Sequence, residues 1–128
     1  MKSRFMGILT MLCAIIGCNV QNEGFKSLSV EEYAKEIEDT TIVRLDVRTA
    51  EEYADGHIAN TLNIDVLKSD FEQKAVGELP KERTIAVNCR SGKRSKNAAK
   101  ILVKNGFKVI ELDEGYNGWV NKGLPVTK

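Results

Sequence analysis

Apolar and polar positions alternate along the chain in a way that separates short strands from amphipathic helices. Ser29 opens a capping box with Glu32, and Val30, Tyr33, Ala34 and Ile37 then fall on one face, which predicts a helix with a single buried stripe. Ile42 to Arg48 follows as a β-branched, largely apolar run that reads as a buried strand ending in a turn. A second capping box, Thr49 with Glu52, starts the next helix.

Further on, Leu62-Asn63-Ile64 predicts a short strand. Asp65 is placed to cap a helix carrying Leu67, Phe71 and Ala75, which Gly77 and Pro80 end. Thr84-Ile85-Ala86-Val87 predicts another strand, and Ala98, Ile101 and Leu102 set the period of the helix behind it, closed by Asn105-Gly106. Lys108 to Leu112 predicts a last strand, and a terminal helix ends at Gly123 and Pro125. Strands alternating with helices imply βαβ units, hence an α/β fold with a parallel sheet covered on both faces.

Before this region Lys2 and Arg4 precede an apolar stretch, Phe5 to Gly17, free of acidic residues, which reads as a secretory signal over residues 1–17. The stretch is shorter than the ~20 apolar residues of a membrane span. Ile15-Ile16-Gly17-Cys18 resembles the lipobox of bacterial lipoproteins. That resemblance implies cleavage before Cys18, acylation of Cys18, and attachment to a membrane of the bacterial cell envelope on the periplasmic side. Residues 18–26 then read as a lipid-anchored tether and 27–128 as the domain. A plain secreted precursor and an uncleaved N-terminal anchor are the alternatives.

The chain of 128 residues carries a formal net charge of +1. Loss of Lys2 and Arg4 leaves 17 basic against 18 acidic side chains, a balance that gives no sign of nucleic-acid binding. With Cys13 removed and Cys18 acylated, Cys89 is left without a disulfide partner, which argues against a dithiol oxidoreductase, and no Cys/His spacing suggests a metal site.

Chemistry concentrates in Asn88-Cys89-Arg90-Ser91-Gly92-Lys93-Arg94-Ser95, where a strand ends and a helix begins. A tight loop there can turn several N–H groups toward one point, and the helix start adds a positive dipole end. Arg90, Lys93 and Arg94 add fixed positive charge, and Gly92 lets the backbone turn closely, so the setting favours a thiolate at Cys89. A solvated basic turn around an inert cysteine is the structural alternative.

The segment Cys89 to Arg94 resembles the six-membered active-site loop of the rhodanese family of sulfurtransferases. Two further stretches share the resemblance. One is Leu45-Asp46-Val47-Arg48 with Glu52, Tyr53 and Gly56-His57-Ile58; the other is Leu112-Asp113-Glu114-Gly115-Tyr116-Asn117-Gly118-Trp119. It implies a small five-stranded parallel sheet with helices on both faces, and a nucleophilic Cys89. Sulfane sulfur would move from a donor such as thiosulfate or a persulfide to cyanide or a thiol through a Cys89 persulfide, with no cofactor and no metal. Backbone N–H groups of Arg90 to Ser95 would hold the terminal sulfur. Arg90 and Lys93 would bind the anionic donor, and Arg94 and Ser95 would close the loop. Phosphatases and arsenate reductases of the same fold carry a loop one residue longer, so the loop length favours attack on sulfur. A persulfide carrier with little turnover is the other alternative, and a non-catalytic interaction domain is a third.

Asp46, at a strand's carboxyl end, is placed to contact the cysteine loop, and Arg48 to pair with Glu51 or Glu52. His57, the lone histidine, is a candidate general base, while the resembling Gly-His-Ile motif implies a structural role, tying its turn to the next strand by hydrogen bonds. Tyr116 and Trp119 read as core, with a place at the substrate mouth as the alternative. The expected assembly state is a monomer.

Overall fold

The computed structural model describes residues 24–128. The expected leader and lipobox, with Cys18, therefore lie outside the described residues. Five parallel strands form one sheet in the order β1-β5-β4-β2-β3. They are β1 (Phe25–Leu28), β2 (Val43–Asp46), β3 (Thr61–Asn63), β4 (Thr84–Asn88) and β5 (Lys108–Leu112). The helices between and after them are α1 (Val30–Glu36), α2 (Ala50–Asp55), α3 (Phe71–Glu78), α4 (Lys93–Lys104) and α5 (Gly115–Asn121).

Side chains alternate across each strand, so the sheet divides two apolar layers. Leu45, Ile85, Val87 and Val109 face Phe71 and Ala75 of α3 and Ala98, Ala99 and Leu102 of α4. Ala86 and Leu112 face Val30 and Tyr33 of α1 and Trp119 of α5 on the other side. Tyr33 and Trp119 meet edge to face, with ring centroids 6.4 Å apart. The Trp119 indole donates to the Pro125 carbonyl at 2.8 Å. Trp119 is thus a core residue, as the sequence suggested.

Both capping boxes form: Ser29 with Glu32 and Thr49 with Glu52 each exchange side-chain and backbone bonds. The Asp65 helix is a correction. Its carboxylate accepts from the Leu67 N–H at 2.9 Å in a local turn, the helix begins only at Phe71, and Leu67 is 66 % exposed. Asp side chains stabilise such turns as readily as helix starts, so the pattern could not separate the two. A second correction concerns the start of the domain. Phe25 and Lys26, read as the end of a tether, form the first half of β1, paired with Val109 and Ile110, and Phe25 is buried.

The strand order places the functional region. From β2 the chain steps outward to β3, returns to β4 on the other side of β2, and steps on to β5. The loops leaving β2 and β4 therefore diverge, and the crevice between them lies at the carboxyl end of the sheet's centre.

Candidate active site

Cys89 follows the last residue of β4, and its side chain is buried at 1 % exposure under the turn into α4. Gly92 adopts φ +104°, a region costly for residues with a Cβ, and its N–H donates to Cys89 Sγ at 3.1 Å. The thiol donates to Ser95 Oγ at 3.4 Å. The sulfur thus sits between a backbone N–H and a hydroxyl at the N-terminus of a 12-residue helix, where unpaired N–H groups favour an anion.

The loop is held from outside by the first turn of α5. Tyr116 N–H donates to the Cys89 carbonyl at 2.8 Å and Asn117 N–H to the Arg90 carbonyl at 2.9 Å. Gly115, at φ +66°, lies so close that a Cβ there would stand 2.4 Å from the Arg90 oxygen. A Cβ on Gly92 would stand 2.0 Å from the Asp113 oxygen. Two glycines therefore let two backbone turns pack directly on each other.

Glu52 organises the cations. Its carboxylate takes two hydrogen bonds from Arg94, at 2.8 and 3.0 Å, and one from Arg90 Nε at 2.8 Å, while the Thr49 N–H also donates to it. The Arg94 bonds lead in holding the Glu52 carboxyl well below the usual carboxylate range, against partial burial and with help from Arg90. In return, Glu52 holds the Arg94 guanidinium above its ordinary range, and Cys89 acts in the same direction. Arg90 keeps about half its side chain exposed, and Lys93 is exposed with no ionic partner among the described residues. Ser91, Gly92, Lys93, Lys96, Asp113 and Asn117 are among the residues lining an open cavity of about 670 Å³ beside the loop.

Asp46 and Arg48 form a different unit from the one expected. Arg48 pairs with Asp46 itself, not with Glu51 or Glu52: its Nη2 lies 2.7 Å from Asp46 Oδ2 and donates also to the Gly56 carbonyl at 2.7 Å. Both residues are buried, and the guanidinium lies 4.2 Å from the centre of the Tyr116 ring. Burial decides the outcome, because a buried guanidinium needs a buried carboxylate. Asp46 reaches β4 through the strand register, opposite Asn88, and its carboxylate is spent on Arg48 rather than on the loop. The pair supports Tyr116, whose N–H holds the Cys89 carbonyl. His57 is built into the scaffold: Nδ1 lies 2.8 Å from the Tyr53 carbonyl, the ring stacks on Tyr53, and the backbone pairs with Thr127 of the C-terminal segment, not with the next strand.

Two site residues escaped the sequence reading. Glu52 enters the sequence as a capping residue, a member of the resembling stretch and an expected partner of Arg48, and not as a partner of Arg90 and Arg94, because nothing local reveals that α2 lies against the cysteine loop. Glu111, the fourth residue of β5, is 0 % exposed and accepts from Ser95 Oγ at 2.5 Å, Ser27 Oγ at 2.6 Å and Lys96 Nζ at 3.3 Å. Its signal was an acid flanked by Ile110 and Leu112 within a buried strand. Lys96 also reaches Asp113 at 2.7 Å. Burial pulls the Lys96 ammonium down, and the Asp113 hydrogen bond and the Glu111 charge outweigh it, so the ammonium lies above its ordinary range.

A cysteine thus sits under a tight loop at the end of the central parallel strand. Residues 29–122 match the rhodanese-like domain. The chain belongs to the rhodanese-like family. A relative named sulfurtransferase from Allochromatium vinosum is 33% identical over 101 residues, covering 78% of this chain and 90% of that protein. The thiosulfate sulfurtransferase GlpE of Shewanella oneidensis is 31% identical over 96 residues, covering 74% and 92%. A rhodanese-related protein of Thermoplasma volcanium, known as a crystal structure, superposes with a TM-score of 0.71 at 28% identity, over 80% of this chain and 97% of that one. The five-stranded parallel rhodanese-like fold expected from the sequence is the fold observed.

Proposed function

We propose that the protein is a sulfurtransferase that carries sulfane sulfur on Cys89, with thiosulfate or a related anion as donor and cyanide or a thiol as acceptor. The observation that carries this reading is the seat of the sulfur: Cys89 Sγ accepts the Gly92 N–H at 3.1 Å inside a six-residue loop that opens α4. Rhodanese-like family membership and the sulfurtransferase names of relatives support the same class of chemistry.

In the first half-reaction the Cys89 thiolate attacks the outer sulfur of thiosulfate. A sulfur–sulfur bond forms to Sγ, the bond between the two thiosulfate sulfurs breaks, and its electron pair leaves on sulfite. Cyanide or a thiolate then attacks the terminal persulfide sulfur and releases the Cys89 thiolate. Arg90 and Lys93 would draw the anionic donor, and the loop N–H groups would hold charge on the terminal sulfur in the manner of an oxyanion hole. Arg94, tied to Glu52, and Ser95, bonded to Sγ, would keep the loop closed. A loop of six has less room than phosphate or arsenate chemistry needs, which keeps the sulfur reading ahead.

The test is a thiosulfate-to-cyanide transfer assay on the full-length chain beside Cys89→Ser. Thiocyanate production lost in the variant is the expected outcome. Hydrolysis of a phosphate monoester with no thiocyanate would reverse the reading, and a stable persulfide without turnover would make the protein a carrier.

The placement of Cys18 after an apolar leader supports attachment to the cell envelope through a lipid on that residue. Cells grown with a labelled fatty acid should label the wild-type chain and not Cys18→Ser; label on neither would exclude the anchor.

A further inference from the structure

Sulfur transfer as set out above leaves the buried carboxyl of Glu111 unused. Glu111 is fully buried, yet its strand neighbours are apolar and the layer it faces is made of Ala98, Ala99 and Leu102. Lys96 meets it at 3.3 Å and shares its ammonium with Asp113 at 2.7 Å, and Ser27 Oγ donates to its other oxygen at 2.6 Å. What Glu111 does hold is the end of a chain of donors: Cys89 Sγ donates to Ser95 Oγ at 3.4 Å, and Ser95 Oγ donates to Glu111 Oε2 at 2.5 Å, the length of a charge-assisted O–H···O⁻ bond.

We propose that Glu111 is the proton store of the site, taking the Cys89 thiol proton through Ser95 when the sulfur attacks and returning it when the sulfur is released. This inference rests on the sulfur-transfer reading for its chemical step. Ser95 has a single hydroxyl proton, which cannot be donated to a thiolate and a carboxylate at once. Were Glu111 to stay ionised beneath a thiolate, one of two neighbouring buried anions would give up Ser95, leaving the thiolate with the Gly92 N–H or the carboxylate with Ser27 and Lys96. Moving two protons in concert removes the conflict. The thiol proton passes to Ser95 Oγ while the Ser95 proton passes to Glu111 Oε2, leaving a thiolate that accepts from Ser95 and a neutral carboxyl that donates to it.

The step balances. Thiol, Glu111 carboxylate and thiosulfate give a persulfide anion, a Glu111 carboxylic acid and sulfite, with the total charge unchanged. In the second half-reaction persulfide anion, carboxylic acid and cyanide give thiol, carboxylate and thiocyanate, again unchanged. The groups facing Glu111 are Ser95 and Lys96 of α4, Ser27 of β1 and, within its field, Tyr33 of α1; Asp113 acts on it only through Lys96. Acting through Ser95, Glu111 is a positioning residue and does not touch the substrate.

The discriminating experiment is the infrared difference spectrum between the reduced and persulfide states of the full-length chain, with Cys89→Ser as the blank. In Glu111→Gln the amide keeps a hydrogen bond to Ser95 but cannot take the proton. The wild type should gain the carbonyl band of a protonated carboxyl when the persulfide forms, and Glu111→Gln should not. Absence of that band in the wild type, or its presence in Glu111→Gln, overturns the proposal.

In Ser95→Ala, which cuts the chain, the band should be lost as well, and a band that persists also overturns the proposal. Should Glu111→Gln fail to fold, the wild-type spectrum still decides. A chain that gains no sulfur by mass would refute the sulfurtransferase reading and the proton store with it, whereas a persulfide formed without the band would refute the proton store alone.

Discussion

At the scale of single residues, burial determines which ionic contacts matter. Arg48 and Asp46 are both out of solvent, so truncating one leaves the other charged and unpaired. Arg48→Ala should therefore cost about 3–5 kcal/mol in urea unfolding. The part-exposed Glu52 cluster is worth less. Glu52→Gln should lower stability at neutral pH by about 1 kcal/mol, and its effect should depend on pH in a defined sense. The folded carboxyl ionises at lower pH than the unfolded one, so its contribution is complete above the unfolded value, about 4.3, and is lost as the pH falls below it. Wild type and Glu52→Gln should thus converge in stability on the acid side, checked by urea midpoints measured between neutral and acid pH.

Among the secondary-structure elements, the cysteine loop owes its shape to contact between two backbone turns. Gly115 has a positive φ and a neighbouring carbonyl where a Cβ would go, while Gly123 has a positive φ and open space around it. Gly123→Ala should cost about 1 kcal/mol from conformation alone. Gly115→Ala should cost at least ~2 kcal/mol, because the clash adds to the left-handed penalty. It should also slow sulfur transfer, because the Cys89 and Arg90 carbonyls are held by the turn that Gly115 begins. Thermal melts and transfer rates on the same pair of variants separate the two effects.

For the molecule as a whole, most of the architecture was legible because its elements carry local periods: both capping boxes, β4, β5 and the helix after the cysteine follow from spacing alone. The loop itself was legible because its thiol, glycine and cations are consecutive. What was not legible depends on contacts distant in sequence. Glu52 lies 42 residues from the Arg94 it binds, and Glu111 lies 16 residues from Ser95. Arg48 had three acidic neighbours in reach, and only burial selects Asp46. Phe25 looked like tether because a strand of four residues has no period to read, and its partner, β5, comes near the end of the chain. If β1 belongs to the folded unit, Phe25→Ala should destabilise the domain by about 3 kcal/mol in urea unfolding, whereas a tether residue would change nothing.

The most direct measurement is the mass of the Cys89-containing peptide from the full-length chain after exposure to thiosulfate alone. A gain of one sulfur atom on that peptide, removed by cyanide and absent in Cys89→Ser, is the result that sulfur carriage on Cys89 requires. An unchanged mass on reduced, folded protein would contradict it.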